Sequence, residues 1–406
     1  MSEPSIVTLG CRLNHAESAR IGAMLRGVDV AIVNTCAVTA AAMRDSRKAV
    51  RRAGMGGRRV IATGCAATID PASFARIGAE VVPNAAKADW RAYSPSLSGE
   101  GLGWGLSPYA APAGQLPPPS PPLKGRGGTH TRAFVPVQNG CDHSCTFCII
   151  PQGRGPSRSR PVSEVIAEIT ELTEQGVAEV VLTGVDLTSY DAPSLGALVA
   201  AILRKVPALP RLRLSSLDGI EIDPLLFDLL TQEPRVMPHV HLSLQSGDDM
   251  VLKRMKRRHS RGQAIALVER LKSARPGIAI GADLIAGFPT ETAEMHETNL
   301  SIIDACDVVH GHIFPYSPRP GTPAARMPQV DPVLVRERAA ELRAAVAARR
   351  ECWLAQHIGT RHAVLAERDG TGHAPDFARF ALPAGTPPGA IVELTATTVT
   401  DGLLSA

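Results

Sequence analysis

Short apolar runs alternate with amphipathic stretches along most of the chain, and the beat of that alternation changes twice. Over residues 1–93, Ser5-Ile-Val-Thr-Leu9, Val28-Asp-Val-Ala-Ile-Val33 and Arg59-Val-Ile-Ala-Thr63 read as strands, and Val81-Val82 opens another. Helical periodicity covers about 15–26 and 39–53. Strand and helix in repetition predict a parallel sheet with helices on its faces. From 131 to 330 the beat lengthens. Strands are predicted at Ala133–Val137, Val180–Thr183, Leu212–Leu214, His239–Leu244, Ile278–Ile285 and Val308–Phe314. Helices are predicted at about 162–176, 193–205, 223–232, 260–274 and 291–304. So many regular units predict a partial (β/α) barrel. A helix over Pro332–His357 sets Val335, Ala339, Leu342, Val346 and Trp353 on one face and connects the barrel to the C-terminal segment. Residues 359–406, with the alternating run Ala390–Val399 and Gly/Pro turns, read as a small all-β module. The expected class is therefore α/β, with a β appendage.

Composition changes this picture at one place. Residues 94–130 are rich in Gly, Pro and Ser, cannot build a core, and read as a disordered linker between the 1–93 domain and the barrel. The whole chain of 406 residues has 44% hydrophobic residues, ample for several buried cores, and a net charge of +4. The mild basicity, with a pI near 8.7, is compatible with an acidic partner such as RNA. The start of the chain lacks a basic segment followed by an apolar one, and no run of roughly 18 apolar residues occurs. A cytoplasmic protein without a membrane partner is expected. In that reducing compartment the eight cysteines are metal ligands, catalytic groups or core residues rather than disulfides.

Six of them fall into two sets. Cys141, Cys145 and Cys148 lie in Asn139-Gly-Cys-Asp-His-Ser-Cys-Thr-Phe-Cys-Ile-Ile-Pro151, just after the first barrel strand. A four-iron cube takes four ligands, so three thiolates leave one iron open for a small chelator. The amino and carboxylate groups of S-adenosylmethionine suit that position. A zinc site formed by the same cysteines with His143 is the alternative. Cys11, Cys36 and Cys65 each follow a predicted strand, in Leu9-Gly-Cys, Asn34-Thr-Cys and Thr63-Gly-Cys. Adjacent parallel strands lie about 5 Å apart, so their ends can bring three thiols together. A second open cluster, or three small residues packed under loops, would account for them. Cys306 and Cys352 read as ordinary residues.

The spacing Cys-x3-Cys-x2-Cys resembles the radical S-adenosylmethionine superfamily. Together, Leu9-Gly-Cys-Arg-Leu-Asn14, Val33-Asn-Thr-Cys-Ala-Val-Thr39, Thr63-Gly-Cys65, Cys-Thr-Phe-Cys-Ile-Ile-Pro151, Arg154-Gly155 and Ser157-Arg-Ser-Arg-Pro161 resemble the methylthiotransferases of that superfamily. The resemblance implies two [4Fe–4S] clusters. It also implies S-adenosylmethionine as both radical source and methyl donor, a cytosolic electron donor such as flavodoxin or ferredoxin, and chemistry at the clusters rather than at a classical acid or base. It places Phe147 near the adenine of the cofactor, and Thr183, Gly184, Asp186, Ser215, Gln245 and Asp283 around it. Plain turn chemistry at strand ends would also put such residues there. The C-terminal module is similar to the RNA-binding TRAM domain of these enzymes. Thr290 stands where the family commonly has glycine.

Asn34-Thr-Cys-Ala-Val-Thr39 with Arg44, Ser46, Arg47, Arg51 and Arg52 resembles the branch that modifies N6-threonylcarbamoyladenosine at position 37, in the anticodon loop of tRNA. The other branches act on isopentenyladenosine at that position or on an aspartate of a ribosomal protein. A non-enzymatic metal-cluster module that binds RNA is the reading outside the family. Arg44, Arg47, Lys48 and Arg51 share one helix face by spacing, suited to phosphate contacts or to a solvated surface. A monomer is expected.

Overall fold

The strand runs Ala-Ile-Val-Asn-Thr and Val-Ile-Ala-Thr-Gly are buried at every position, as parallel strands covered by helices on both faces require. The computed structural model describes residues 4–93 and 131–406, and the expected linker at 94–130 lies outside the described residues. The first four strands, β1 (Ser5–Thr8), β2 (Ala31–Thr35), β3 (Val60–Gly64) and β4 (Glu80–Val81), pair in sequence order and all in parallel. Helix α1 (Arg12–Met24) follows β1, and α2 (Ala40–Ala53) follows β2 with Thr39 accepting from the Ala42 N–H as its N-cap. Two short helices, α3 (Cys65–Ile69) and α4 (Pro71–Ala75), follow β3. Ile21, Leu25, Val30, Ile32, Ile61, Val82 and Tyr93 form the core on one face.

The chain divides into two compact units. The first contains the sheet just described together with Gln152–Arg154, the end of helix α5 (Ile150–Arg154). The second contains the rest of the described residues, the segment 359–406 included, where the sequence predicted a separate module.

In that second unit, β5 (Arg132–Pro136) is followed by the small pair β6 (Gln138–Asn139) and β7 (Arg158–Ser159). The parallel strands β8 (Glu179–Thr183) and β9 (Arg211–Leu214) join β5 in the order β5-β8-β9. One residue later β10 (Ser216–Leu217) begins a second parallel set, in the order β10-β11-β12-β13, with β11 (His239–Gln245), β12 (Ala279–Ala286) and β13 (Val308–Pro315). Helices α6 (Val162–Glu174), α7 (Leu195–Lys205), α8 (Pro224–Gln232), α9 (Asp249–Met255), α10 (Arg261–Ala274) and α11 (Ala293–Ala305) connect the strands. Their starts carry local signals: Ser194, Asp223, Asp248, Ser260 and Thr292 each cap a helix, and Ser260 with Gln263 forms a capping box. The long helix α12 (Pro332–Ala355) buries Val335, Ala339, Leu342 and Val346 as predicted.

The C-terminal strands form one sheet in the order β17-β14-β15-β16-β19-β18, where β14 is Arg361–Ala366, β15 Thr371–His373, β16 Arg379–Ala381, β17 Ile391–Thr395, β18 Thr398–Thr400 and β19 Leu403–Ser405. The alternating run at 390–399 breaks at Ala396, whose N–H donates to the Thr360 carbonyl, and the Thr397 N–H donates to the Ser405 carbonyl. This sheet shares an apolar core with the barrel and α12, through Ala279, Val309, Trp353, Val364, Phe380 and Leu404. Polar groups bind it too. Arg211 donates to the carbonyls of Ala363 and His373, and Arg132 pairs with Glu367. Phe377 lies under the Arg213 guanidinium at 4.7 Å, and that guanidinium pairs with the fully buried Glu179 at 2.9 Å.

Candidate active site

Cys11, Cys36 and Cys65 all lie at the C-terminal edge of the first sheet. Cys11 caps α1, Cys36 follows β2, and Cys65 opens α3. The sheet register aligns Thr8 with Asn34 and Thr35 with Gly64, which sets the three turns side by side. Burial pushes the Cys36 thiol up, and the neighbouring Cys65 and Cys11 sulfurs push it the same way. Three soft sulfur donors gathered at one sheet edge fit a metal cluster. The turns are tightly fitted around the sulfurs. Gly10 has φ +95°, and a Cβ there would sit 2.8 Å from the Cys36 sulfur.

Polar side chains, most of them within the quoted motifs, hold these turns. Asn14 donates to the carbonyls of Leu9 (2.7 Å) and Thr35 (3.1 Å), and Asn34 donates to the Asn14 carbonyl (2.8 Å) and to Ser18 (3.0 Å). Ser46 on α2 accepts from the Cys36 N–H and donates to the Cys36 carbonyl. Arg154 brings its Nε to 3.3 Å from the Cys65 sulfur and its Nη1 to 2.6 Å from Glu17. Lys87 reaches the same carboxylate at 2.5 Å. Burial opposes ionisation of Glu17, but Lys87 and Arg154 outweigh it and hold the carboxyl below its ordinary range. Arg154 belongs to a quoted motif, whereas Glu17 and Lys87 lie outside the motifs, each a charged residue between small neighbours.

The second trio lies on the loop between β6 and α5. Gly140 has φ +79°, and a Cβ there would fall 1.9 Å from the Pro156 carbonyl oxygen, so only glycine passes this point. Thr146 is pinned on three sides: its N–H donates to the Met255 carbonyl, its hydroxyl to the Arg254 carbonyl, and its own carbonyl accepts from Ala324. Burial pushes the Cys141 thiol up to about 12, helped by Asp186 and by the sulfurs of Cys148 and Cys145. Donors already point at these sulfurs: the His143 N–H at Cys141 (3.4 Å), the Ile150 N–H at Cys148 (3.4 Å) and Arg257 Nη1 at Cys145 (3.8 Å). Such hydrogen bonds are what cluster sulfurs commonly accept. This donor set also fits a cluster.

The residues expected around S-adenosylmethionine are dispersed over the strand ends of the second unit. Phe147 packs edge-on to Phe288 at 6.4 Å. Asp186 accepts from Ser189 (2.6 Å), lies 2.8 Å from His143 Nε2 and lies 3.7 Å from the Cys141 sulfur. Cys141, His143 and Asp186 thus share one small space, with His143 turned to Asp186 and also to Arg258 at 3.0 Å. Gln138, which no sequence motif marks, joins the turns: its Oε1 accepts from the N–H groups of Val185 and Asp186, and its Nε2 donates to the Gly140 carbonyl. A side chain at Gly184 would collide with that Oε1 at 2.9 Å. Thr183 is buried, and its carbonyl accepts from Val137. Ser215 Oγ is buried with no hydrogen-bond partner among the described residues, and Gln245 holds φ +65° at the end of β11. Asp283 turns to His241 and His312.

On α2, Arg44, Lys48 and Arg51 are exposed, whereas Arg47 is drawn away to Asp70 at 3.0 Å. The expected basic face therefore keeps three of its four cations exposed, with Lys48 at 4.0 Å from Asp45. Among the described residues no helix is long and apolar enough to cross a membrane.

Comparison with known proteins agrees with this geometry. Residues 135–301 match the radical SAM superfamily and residues 4–83 match the uncharacterized protein family UPF0004. The threonylcarbamoyladenosine tRNA methylthiotransferase MtaB of Rickettsia prowazekii is 42% identical over 384 residues, covering 92% of this chain and 89% of the relative. A tRNA-2-methylthio-N(6)-dimethylallyladenosine synthase of Roseobacter denitrificans is 36% identical over 59% of this chain and 55% of its own length. Among solved structures, the radical S-adenosylmethionine methyltransferase TsrM of Kitasatospora setae superposes with a TM-score of 0.54 at 19% identity, over 76% of this chain and 66% of that one, which shows a shared fold. With two matched regions that carry one cysteine trio each, and a relative aligned along nearly its whole length, the chain belongs to the radical S-adenosylmethionine methylthiotransferase family.

Proposed function

We propose that this protein adds a methylthio group to C2 of N6-threonylcarbamoyladenosine at position 37 of tRNA, with S-adenosylmethionine as both methyl donor and radical source. The observation that carries the reading is the pair of cysteine trios, one gathered from three strand ends and one on a single loop, in a chain that aligns almost end to end with an enzyme named for that nucleoside. The relative named for dimethylallyladenosine aligns over a much smaller share.

Cys141, Cys145 and Cys148 hold one [4Fe–4S] cluster, and Cys11, Cys36 and Cys65 hold a second. Bound there, the clusters and S-adenosylmethionine supply one-electron reduction, a carbon radical able to attack an unactivated C–H bond, and an open iron for sulfur. The chain's own residues bind and orient. Gln138 fixes the Gly140 turn against the turn that carries Asp186. Phe147 and Phe288 wall the cofactor side with apolar surface and exclude water. Asp186, Ser215, Gln245, Thr183 and Gly184 line the cofactor from the strand ends. Arg44, Lys48 and Arg51 meet backbone phosphates of the anticodon arm. Electrons come from a small flavodoxin- or ferredoxin-type donor, and the enzyme acts as a monomer.

Nucleoside mass spectrometry of tRNA from a deletion strain tests the activity. The methylthiolated threonylcarbamoyl nucleoside alone is expected to vanish, and unchanged tRNA would sink the proposal. Anaerobic protein is expected to carry about eight irons per chain, and substituting Ala for Cys11, Cys36 or Cys65 is expected to leave about four. Formation of 5′-deoxyadenosine persists in those variants while methylthiolation stops. Its absence from the wild type would favour a non-enzymatic RNA-binding module.

A further inference from the structure

His241, Asp283 and His312 come from the three adjacent parallel strands β11, β12 and β13, and each offers a ligand-type atom within 4.8 Å of the others. Asp283 Oδ1 accepts from His241 Nε2 at 3.0 Å and from His312 Nδ1 at 3.1 Å, and the two rings lie 4.6 Å apart. Burial alone would raise the Asp283 carboxyl, but the hydrogen bonds from the two rings hold it far below its usual range. An ionised carboxylate only accepts, so both rings present N–H to it. That fixes His312 with its proton on Nδ1 and its Nε2 turned outward. No described residue pairs with that nitrogen, and the His312 side chain is 60% exposed. Asp283 Oδ2 likewise makes no hydrogen bond among the described residues. Space has been kept for the arrangement: a Cβ on Gly281 would fall 2.4 Å from the His241 ring.

The position points to the reacting end of the substrate. Phe314 is two residues beyond His312 on the same strand, hence on the same face and about 7 Å along it. It packs against the apolar cluster of Val251, Met255, Ile285, Phe288 and Ala324, as does Phe147, the residue before Cys148. The constellation therefore lies one strand repeat below the cluster-bearing loop. In adenine, C2 and C6 both flank N1. A base that offers C2 to the chemistry at that loop projects its N6 appendage from the same edge.

We propose that His312, oriented by Asp283 and backed by His241, is the residue that selects the threonylcarbamoyl substrate, its Nε2 and Asp283 Oδ2 accepting from the hydroxyl and N–H donors of the appendage. This rests on the threonylcarbamoyladenosine reading of the function. An apolar dimethylallyl appendage would leave both groups desolvated and unpaired, which is how a polar site rejects an analogue. A divalent cation could use the same three ligands, but both rings already share a single carboxylate oxygen as donors.

The test compares wild type with His312→Phe and His312→Gln on two tRNAs, one carrying threonylcarbamoyl and one carrying dimethylallyl at adenosine 37. Wild-type turnover of the first tRNA is the check on the parent reading, and its absence would sink that reading separately. With wild type active, His312→Phe is expected to lower kcat/KM for the threonylcarbamoyl tRNA by about tenfold to a hundredfold, mostly through KM, with His312→Gln falling less. Discrimination against the dimethylallyl tRNA should shrink in parallel. Iron content and tRNA-free cleavage of S-adenosylmethionine should not change. The inference is overturned by unchanged discrimination, by an equal loss of tRNA-free cleavage, which would assign the group to the cofactor, or by stoichiometric zinc in wild type that His312→Phe abolishes.

Discussion

Arg154 places its guanidinium against the Cys65 sulfur, with Nε at 3.3 Å, while its side chain is only 1% exposed. Its other donors reach Glu17 and Asn14, so the cation is held rigidly at the edge of the first cysteine trio. A fixed positive charge beside a thiolate ligand favours the anionic cluster and keeps Cys65 aimed at it. Arg154→Met would leave Glu17 with Lys87 alone. The apoprotein is expected to lose about 3 kcal/mol, the usual cost of removing one partner of a buried ion pair. The check is a urea titration alongside iron analysis of reconstituted protein, where about half of the iron should be missing. Arg154→Lys should recover stability better than iron, because an ammonium cannot bridge Glu17 and Cys65 as the planar fork does.

Thr290 occupies the left-handed region at φ +67°. For a β-branched residue the crowding between Cβ and its own backbone costs on the order of 1–2 kcal/mol there. Thr290→Gly is expected to stabilise the protein by about 1 kcal/mol after the extra chain entropy of glycine is subtracted. Thr290→Ala keeps the strained backbone and should give no gain. Calorimetric Tm values of the three proteins decide the matter.

The histidines under the barrel make stability depend on pH in opposite directions. His310 packs against Trp353, Phe377 and His239, and burial, helped by the nearby Arg350, drops its pKa to about 3. Its neutral ring costs nothing above the unfolded value of 6.5. Below that pH the unfolded chain binds a proton that the folded one refuses, and stability falls by about 1.4 kcal/mol per pH unit until about pH 3. His357 behaves inversely. Burial works against its charge, yet the Asp376 carboxylate at 2.6 Å outweighs it and raises the pKa, so its contribution is complete below 6.5 and fades as pH climbs through the raised value. His310→Leu should flatten the loss between pH 7 and pH 5 by about 2 kcal/mol in urea titrations. His357→Asn should instead flatten the alkaline side.

The exposed cations of α2 give a salt-dependence test. Each phosphate contact that is lost reduces the slope of log K against log salt by about 0.7 for single-stranded RNA. The triple substitution of Arg44, Lys48 and Arg51 by Ala should reduce the slope for tRNA binding by about 2, without loss of iron. Arg47→Ala should weaken the hold on Asp70 and Ser73 instead and leave that slope nearly unchanged. Filter binding across a salt series reads both.

Much of this protein is legible in its sequence alone. Buried parallel strands need unbroken apolar runs and their helices need a period near 3.6, so the strand–helix rhythm of both units can be read locally. The short helices Cys65–Ile69, Pro71–Ala75 and Asp249–Met255 escape that reading, because one or two turns carry too few residues to show a period. The spacing of Cys141, Cys145 and Cys148 also announces its chemistry locally, since the three ligands lie within one loop. Other arrangements are decided by folding alone. Arg154 meets Glu17 across 137 residues, and His241 meets Asp283 across 42. The break at Ala396 arises because its N–H finds Thr360. Local pattern encodes which face of an element is buried. Which charged groups converge inside it depends on strand order and register, and those exist only once the sheets have formed.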